Sequence, residues 1–272
     1  MNIYELHYSK TNTYVIETER GRILFDTGWA GSFPAFCHTM SEAGISVPSL
    51  SAILLSHFHP DHMGIAQEIA DKGPVILVPD LQLPYLHSAD GVFEKEKNSA
   101  FIPIKDADVR SFSLAKSREV LASYGVDGEI LHTPGHSDDS ISLWLSDGSL
   151  FVGDLNPLYE LELHRGTTIG ESWEKLLALH PKTVYYGHAK KAVLAENSKT
   201  SMAKEKPSPD DSDLYKLVSD IMKLIDRNCT MAKIQKKTGA DAGLVEDVMR
   251  MYLTHQNIGV RGILDRIEIK GR

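Results

Sequence analysis

Ile53, Leu54 and Leu55 form a short apolar run, and just past it the chain breaks into His57, His59, Asp61 and His62. No other stretch constrains the fold as strongly. A brief apolar run bounded by turn signals reads as a buried strand. Pro60 fixes φ and lacks an N–H, so neither a smooth strand nor a smooth helix is expected across the histidines. The polar residues are therefore expected on a tight loop at the C-terminal end of a strand. Alternation sends His57 and His59 to one side, and the turn after Pro60 sends Asp61 and His62 to another. Imidazole and carboxylate suit Zn²⁺ and also Fe or Mn. Four such residues within six positions point to a metal loop rather than a merely solvated one.

The rest of the chain offers similar strand ends. Residues 3–7, 13–17 and 22–26 read as strands, with a turn at Glu19-Arg20-Gly21 and another at Asp26-Thr27-Gly28. Ser32 and Pro34 start a helix that Gly44 ends. Residues 63–70 read as a short helix, and residues 75–78 as a strand ended by Pro79. Residues 80–118 show no clean period and read as a functional loop or cap, with Tyr85, His87, Phe93 and Phe101 as packing residues. A helix over 115–124 leads to a strand at 129–132, which empties into Thr133-Pro134-Gly135-His136-Ser137. Here Pro134 and Gly135 make a sharp turn that aims an imidazole. A hairpin over 140–153 ends in Gly153-Asp154. A second loop over 155–169 carries Tyr159, His164 and Arg165 as candidate substrate contacts. A helix over 170–179 and a strand over 183–186 lead to Gly187-His188.

The motif His-x-His-x-Asp-His after an apolar strand, followed in order by Thr-Pro-Gly-His, Gly-Asp and Gly-His, resembles the signature of the metallo-β-lactamase-fold hydrolases. The resemblance covers about residues 1–195. It implies an α/β fold, the four-layer αββα sandwich, with His57, His59 and His136 on a first metal, Asp61, His62 and His188 on a second, and Asp154 bridging. It also implies a hydroxide between the metals as nucleophile, Asp61 as its general base, and bracing roles for Asp26, Ser56 and Ser137. The expected cofactors are two divalent ions, Zn before Fe or Mn. True β-lactamases of this fold usually have Cys or Ser at the Asp154 position, and nitric-oxide-reducing relatives replace the second histidine by glutamate. Glyoxalase II-like thioesterases, lactonases and phosphoesterases all keep an aspartate at the Asp154 position. The expectation is thus a hydrolase of a small ester, thioester or lactone. The alternatives are a phosphodiester or nucleic-acid hydrolase, then a persulfide dioxygenase-like oxidoreductase or a β-lactamase.

Charge bears on that choice. Residues 211–272 carry 11 basic and 9 acidic side chains, so against a total of −8 the remainder carries −10. An acidic catalytic part argues against a polyanionic substrate, because nucleic-acid binding leans on basic surface. Residues 199–213, with Pro207 and Pro209, read as a linker between a catalytic domain at 1–198 and a C-terminal domain at 214–272. In the tail, Leu214, Leu217, Val218, Ile221, Leu224 and Ile225 recur at three and four, as in an amphipathic helix. Thr230 and Gly239 bound a second helix, and a third starts at Asp241 or Ala242. Residues 257–260 and 263–269 read as a hairpin, which makes the whole a small α+β winged-helix pattern. Its near-neutral charge favours packing or homodimer formation over nucleic-acid binding. No apolar run approaches the ~20 residues of a membrane span. The first residues lack a basic-then-apolar leader, and Cys37 and Cys229 are far apart, so a cytoplasmic protein without disulfides is expected.

Overall fold

The structure, a computed structural model, describes residues 1–194, 211–227, 229–254, 260 and 263–264. Its first three strands, β1 (Asn2–Leu6), β2 (Thr13–Glu17) and β3 (Arg22–Phe25), run antiparallel. The turn between β2 and β3 closes where the Thr18 N–H donates to the Gly21 carbonyl at 2.9 Å. Helix α1 (Phe33–Glu42) then crosses over, so β4 (Ala52–Leu54) pairs parallel to β3. Helices α2 (Pro60–Met63) and α3 (Ala66–Ala70) make the next crossover to β5 (Val75–Pro79), again parallel. A crossover of this kind needs a dozen or more residues, which the helices supply.

Two elements here depart from the sequence reading. Pro60 opens a helix as its first residue, with His59 extended as the N-cap, so Asp61 and His62 lie on a helical turn rather than a loop. The single helix expected over 63–70 breaks after Met63. A Cβ on Gly64 would lie 2.4 Å from the Ala30 nitrogen and 2.7 Å from the Gly28 carbonyl. That close approach presses the turn against the β3–α1 loop.

The long irregular stretch holds α4 (Asp90–Lys95) and a strand that the sequence reading missed, β6 (Val109–Phe112), which pairs parallel to β5. Arg110 and Ser111 are exposed on this edge strand, so it shows no apolar alternation. The first sheet thus runs in order β1 to β6. After α5 (Ser117–Ser123) come β7 (Gly128–His132), β8 (Ile141–Leu145) and β9 (Ser149–Phe151), an antiparallel meander. Helix α6 (Thr168–Leu177) leads to β10 (Thr183–Tyr185), parallel to β9, and β11 (Ala192–Val193) pairs with β10. The second sheet has the order β11-β10-β9-β8-β7.

Period-two alternation builds the layers. Tyr14, Ile16, Ile23, Phe25, Ala52 and Leu54 face the second sheet, where they bury against Ile130, Leu143, Phe151 and Tyr185. Their neighbours Val15, Leu24 and Ile53 face the other way, onto Phe36 and Met40 of α1 and Ile69 of α3. Both faces of the first sheet are therefore covered. On the outer side of the second sheet, Trp173 of α6 meets Tyr186 with ring centroids 6.4 Å apart. Burying a Leu, Ile or Phe side chain contributes about 1.5–3 kcal/mol, so these two layers hold the strand ends rigidly.

The chain divides into two compact units, Met1–Asn156 with Arg165–Glu196, and Pro157–His164 with Asn197–Arg272. In the second unit, α7 (Asp211–Asp226), α8 (Met231–Thr238) and α9 (Ala242–Thr254) bury Val218, Ile221, Ile234, Val245 and Val248 together. Gly239 takes φ +73° at the end of α8, and Asp241 Oδ1 accepts the Leu244 N–H at 3.0 Å near the start of α9. The expected linker lies outside the described residues up to 210, and residues 211–213 already belong to α7. Most of the expected hairpin also lies outside them. The described residues there, Val260, Ile263 and Leu264, are helical rather than extended. Among the described residues, no helix is long and apolar enough to cross a membrane.

Candidate metal centre

Five strand ends of the first unit converge at one edge of the two sheets. Asp26 follows β3, His57 to His62 follow β4, His136 follows β7, Asp154 follows β9 and His188 follows β10. Ligand sites outside the carboxyl ends of strands are the general expectation for α/β sheets. Three overlapping groups form there: His57, His59 and His136; His57, His62 and Asp154; and Asp61, His62 and His188. Within each, one potential ligand atom per residue lies within 4.8 Å of the others. All seven ligand-type residues singled out in the sequence are therefore brought together.

Asp154 sits at the centre. Its Oδ1 lies 3.2 Å from His62 Nε2 and 3.4 Å from His188 Nε2, while its Oδ2 lies 3.5 Å from His136 Nε2. His188 Nε2 is also 2.9 Å from Asp61 Oδ2, and His136 Nε2 is 3.0 Å from His59 Nδ1. The buried atoms His57 Nε2, His62 Nε2 and Asp154 Oδ1 make no hydrogen bond. Buried polar atoms are almost always satisfied, so this convergence of lone-pair donors fits a cation.

The opposite edges of the imidazoles are held. Asp26 is fully buried at φ +61°, and its carboxylate accepts the Ser56 N–H at 2.7 Å and the Ser56 hydroxyl at 2.8 Å. It also meets His62 Nδ1 at 2.9 Å. Ser56 Oγ lies 2.9 Å from His57 Nδ1. His188 Nδ1 meets the Lys10 carbonyl at 2.9 Å. With Nδ1 so engaged, Nε2 of each ring is the atom turned toward the centre. The carbonyl of His62 accepts both the N–H and the hydroxyl of Thr27, at 2.8 Å each. Asp26 and Ser56, named in the sequence as braces, thus touch the rings of His62 and His57. Ser137 does something else, since its hydroxyl pairs with that of Ser140 at 2.7 Å and steadies its own turn.

Two glycines let the groups approach. Gly153 has φ +55°, and a Cβ there would lie 2.5 Å from the Ser56 side chain. A Cβ on Gly187 would lie 2.5 Å from Asp154 Oδ1 and 2.8 Å from His62 Cε1.

Electrostatics divide the centre. Burial keeps His57 well below the ordinary histidine range. Burial also lowers His136, to about 4, with neighbouring histidines adding to the effect against the pull of Asp154. Both rings are thereby neutral, the form that ligates. Burial opposes charge on His62 and His188 too, but Asp154 and the other carboxylates outweigh it. His62 is raised well above its usual value and His188 to about 9. Burial works against Asp154 and Asp61 as anions, yet the adjacent histidines hold both below the usual carboxylate range. The carboxylates of Asp61 and Asp154 thus draw protons onto His62 and His188, at positions where a bound cation would take their place.

Several supporting residues had no signal in the sequence. The Thr11 hydroxyl donates to the Asp61 carbonyl at 2.8 Å, and Asn12 Nδ2 donates to the carbonyls of Tyr186 and Ala189 at 3.1 and 3.0 Å. Both read as ordinary hairpin-turn residues. Asp139 and Gln82, buried and unremarked in the sequence, bind the backbone at Phe58 and at Leu55 and Ser56, respectively. Of the three residues expected to touch substrate, Tyr159 and Arg165 are exposed and His164 is buried.

The metallo-beta-lactamase superfamily model matches residues 9–188, most of the chain and a span that contains all seven ligand-type residues. The chain belongs to the metallo-beta-lactamase superfamily. Relatives in that superfamily include the Beta-lactamase-like protein 2 homolog of Drosophila melanogaster, 29% identical over 187 residues, covering 65% of this chain and 58% of the relative. Another is the atrochrysone carboxyl ACP thioesterase of Aspergillus fumigatus, 33% identical over 147 residues, covering 53% of this chain and 29% of the relative. The match thus spans less than two thirds of either relative. Among solved structures, the superfamily fold recurs in TTHA1623 in a di-iron-bound form, with a TM-score of 0.54 and 23% identity over 74% of this chain and 99% of that one.

Proposed function

We propose that this chain is a binuclear metal-dependent hydrolase acting on a thioester, ester or lactone of a small molecule. The observation that carries the reading is the placement of Asp154, whose two carboxylate oxygens face different histidines, His62 and His188 on one side and His136 on the other. A carboxylate so placed would be able to serve two cations at once. His57, His59 and His136 would hold one, and Asp61, His62 and His188 the other. Two divalent ions held there would supply a water nucleophile at neutral pH and would polarise the scissile carbonyl. Zn is the first candidate, and the di-iron form of one structural neighbour keeps Fe in view.

The protein's own part follows from its groups. Asp61 is the more open carboxylate, with its side chain 32% exposed against 9% for Asp154. Its Oδ2 accepts the proton that water loses on attack, a general-base role. Asp26 keeps the His62 ring turned so that Nε2 faces inward, and the Lys10 carbonyl does the same for His188. Arg165, exposed and in the same unit as the centre, is the side chain proposed to meet substrate. The thioester preference draws on the relative named as an ACP thioesterase. The −10 charge outside the tail weighs against a polyanion, which leaves phosphodiesters as the second reading.

The test is metal analysis with a substrate panel of thioester, lactone, ester, phosphodiester, RNA and β-lactam, on wild type and Asp154→Asn. We expect two metals per chain and cleavage of thioesters or lactones. Asp154→Asn should lose one metal and most activity. One metal or fewer after reconstitution with excess Zn, Mn or Fe, or an Asp154→Asn protein equal to wild type, would overturn the reading.

A further inference from the structure

Two buried side chains outside the ligand-type set tie the His57–His59 loop to the turn that carries His136. Asp139 lies three residues past His136, and its Oδ2 accepts the Phe58 N–H at 2.8 Å. That N–H belongs to the residue between His57 and His59, and the Phe58 ring is itself buried in the core beside α1 and α3. Gln82 comes from the turn Asp80–Tyr85 that follows β5. Its Nε2 donates to the Asp139 carbonyl at 2.9 Å and reaches the Leu55 and Ser56 carbonyls at 3.3 Å each. The Ile141 N–H donates to the same Ser56 carbonyl at 2.8 Å. The end of β4 and the β7–β8 turn are thus joined directly by the Asp139–Phe58 and Ile141–Ser56 bonds, and Gln82 bridges them through three backbone carbonyls.

A buried carboxylate is costly unless it is needed for its hydrogen bonds, and an apolar residue would fill the same space without that cost. The remaining ligand-type residues hang on different supports. His62 rests on Asp26, His188 on the Lys10 carbonyl, and Asp61 on Thr11.

We propose that Gln82 and Asp139 are positioning residues that fix the spread of His57 and His59 against His136, independently of the Asp61, His62 and His188 half. The inference rests on the reading of the three histidines as metal ligands. Asp139 holds the Phe58 peptide so that the two rings flanking it keep their orientation. Gln82 locks Asp139 and the β4 end to a common frame. Outer groups of this kind typically change metal affinity ten- to hundredfold.

The experiment is Co²⁺ titration of the metal-free full chain, read by the visible spectrum of each equivalent, in three backgrounds: wild type, His188→Ala and His136→Ala. Asp139→Ala should weaken one equivalent ten- to hundredfold in wild type. The loss should persist in the His188→Ala background, where the three-histidine half remains, and vanish in the His136→Ala background. Asp139→Asn retains an acceptor for the Phe58 N–H and should restore affinity to within about threefold. Gln82→Met, close in volume and uncharged, should repeat the one-sided loss and serves if Asp139→Ala does not fold. Equal weakening of both equivalents, or none, overturns the positioning role while leaving two metals in wild type. Wild type that binds no Co²⁺ at all overturns the ligand reading, and this inference with it.

Discussion

On the proposed two-metal reading, replacing Asp26 by asparagine should leave one metal bound without unfolding the protein. The buried carboxylate accepts from the Ser56 N–H, the Ser56 hydroxyl and His62 Nδ1. Its residue also sits at φ +61°. Asparagine tolerates that left-handed backbone well. It keeps one oxygen for the Ser56 N–H, but its amide nitrogen then faces His62 Nδ1. That nitrogen can accept only if its proton moves to Nε2, the atom aimed at Asp154. The second cation loses a ligand, and its affinity should fall ten- to hundredfold, or about 1.4–2.8 kcal/mol. Alanine is worse, because the Ser56 N–H and the His62 ring N–H are both left buried and unsatisfied. At about 1–3 kcal/mol each, plus about 1–2 kcal/mol for alanine at positive φ, the loss is a large part of a domain's stability. Chelator-competition titration, thermal melting and ¹⁵N NMR of the imidazole tautomers check this. An Asp26→Asn protein that binds both equivalents within twofold of wild type, with His62 still protonated at Nδ1, would refute the argument.

Two further outcomes follow from particular contacts. Gly187→Ala puts a methyl 2.5 Å from Asp154 Oδ1 on a backbone that does not need glycine, so the effect should be overpacking of about 1–3 kcal/mol together with loss of one metal. Unchanged metal content and melting temperature would show that the site yields freely. Away from the centre, hydrogen bonds from Asn2, Arg22 and Tyr4 lower the Glu17 pKa from 4.5 to about 2. A depressed carboxylate stabilises the fold above its unfolded pKa and loses that contribution as pH falls through the folded one. The wild-type advantage over Glu17→Gln in urea midpoint, measured with chelator present, should therefore shrink between pH 4.5 and 2, and a constant gap would contradict the assignment.

The sequence by itself determined the ligand types and where they sit. An apolar run, a proline or glycine turn and a histidine or aspartate form a local grammar, and each unit is set by residues only a few positions apart. His57, His136, Asp154 and His188 were legible for that reason, and so were the amphipathic helices α7 and α9, whose period is carried within one element. What the tertiary structure decided is how those units meet. Pro60 starts a helix and Gly64 breaks it because the β3–α1 loop presses on that turn, and nothing within residues 53–70 announces such a neighbour. Strand β6 stays hidden because an edge strand needs only one partner and leaves Arg110 and Ser111 in water. Ser137 is a plausible brace by position, yet its hydroxyl turns to Ser140. Gln82 and Asp139 lie 57 residues apart and read as loop polars. Only the packing of β5 beside β4, with β7 and β8 in the facing sheet, brings them against the Phe58 peptide. Side-chain chemistry is a property of the residue, but the direction in which it is spent depends on contacts between segments distant in the chain.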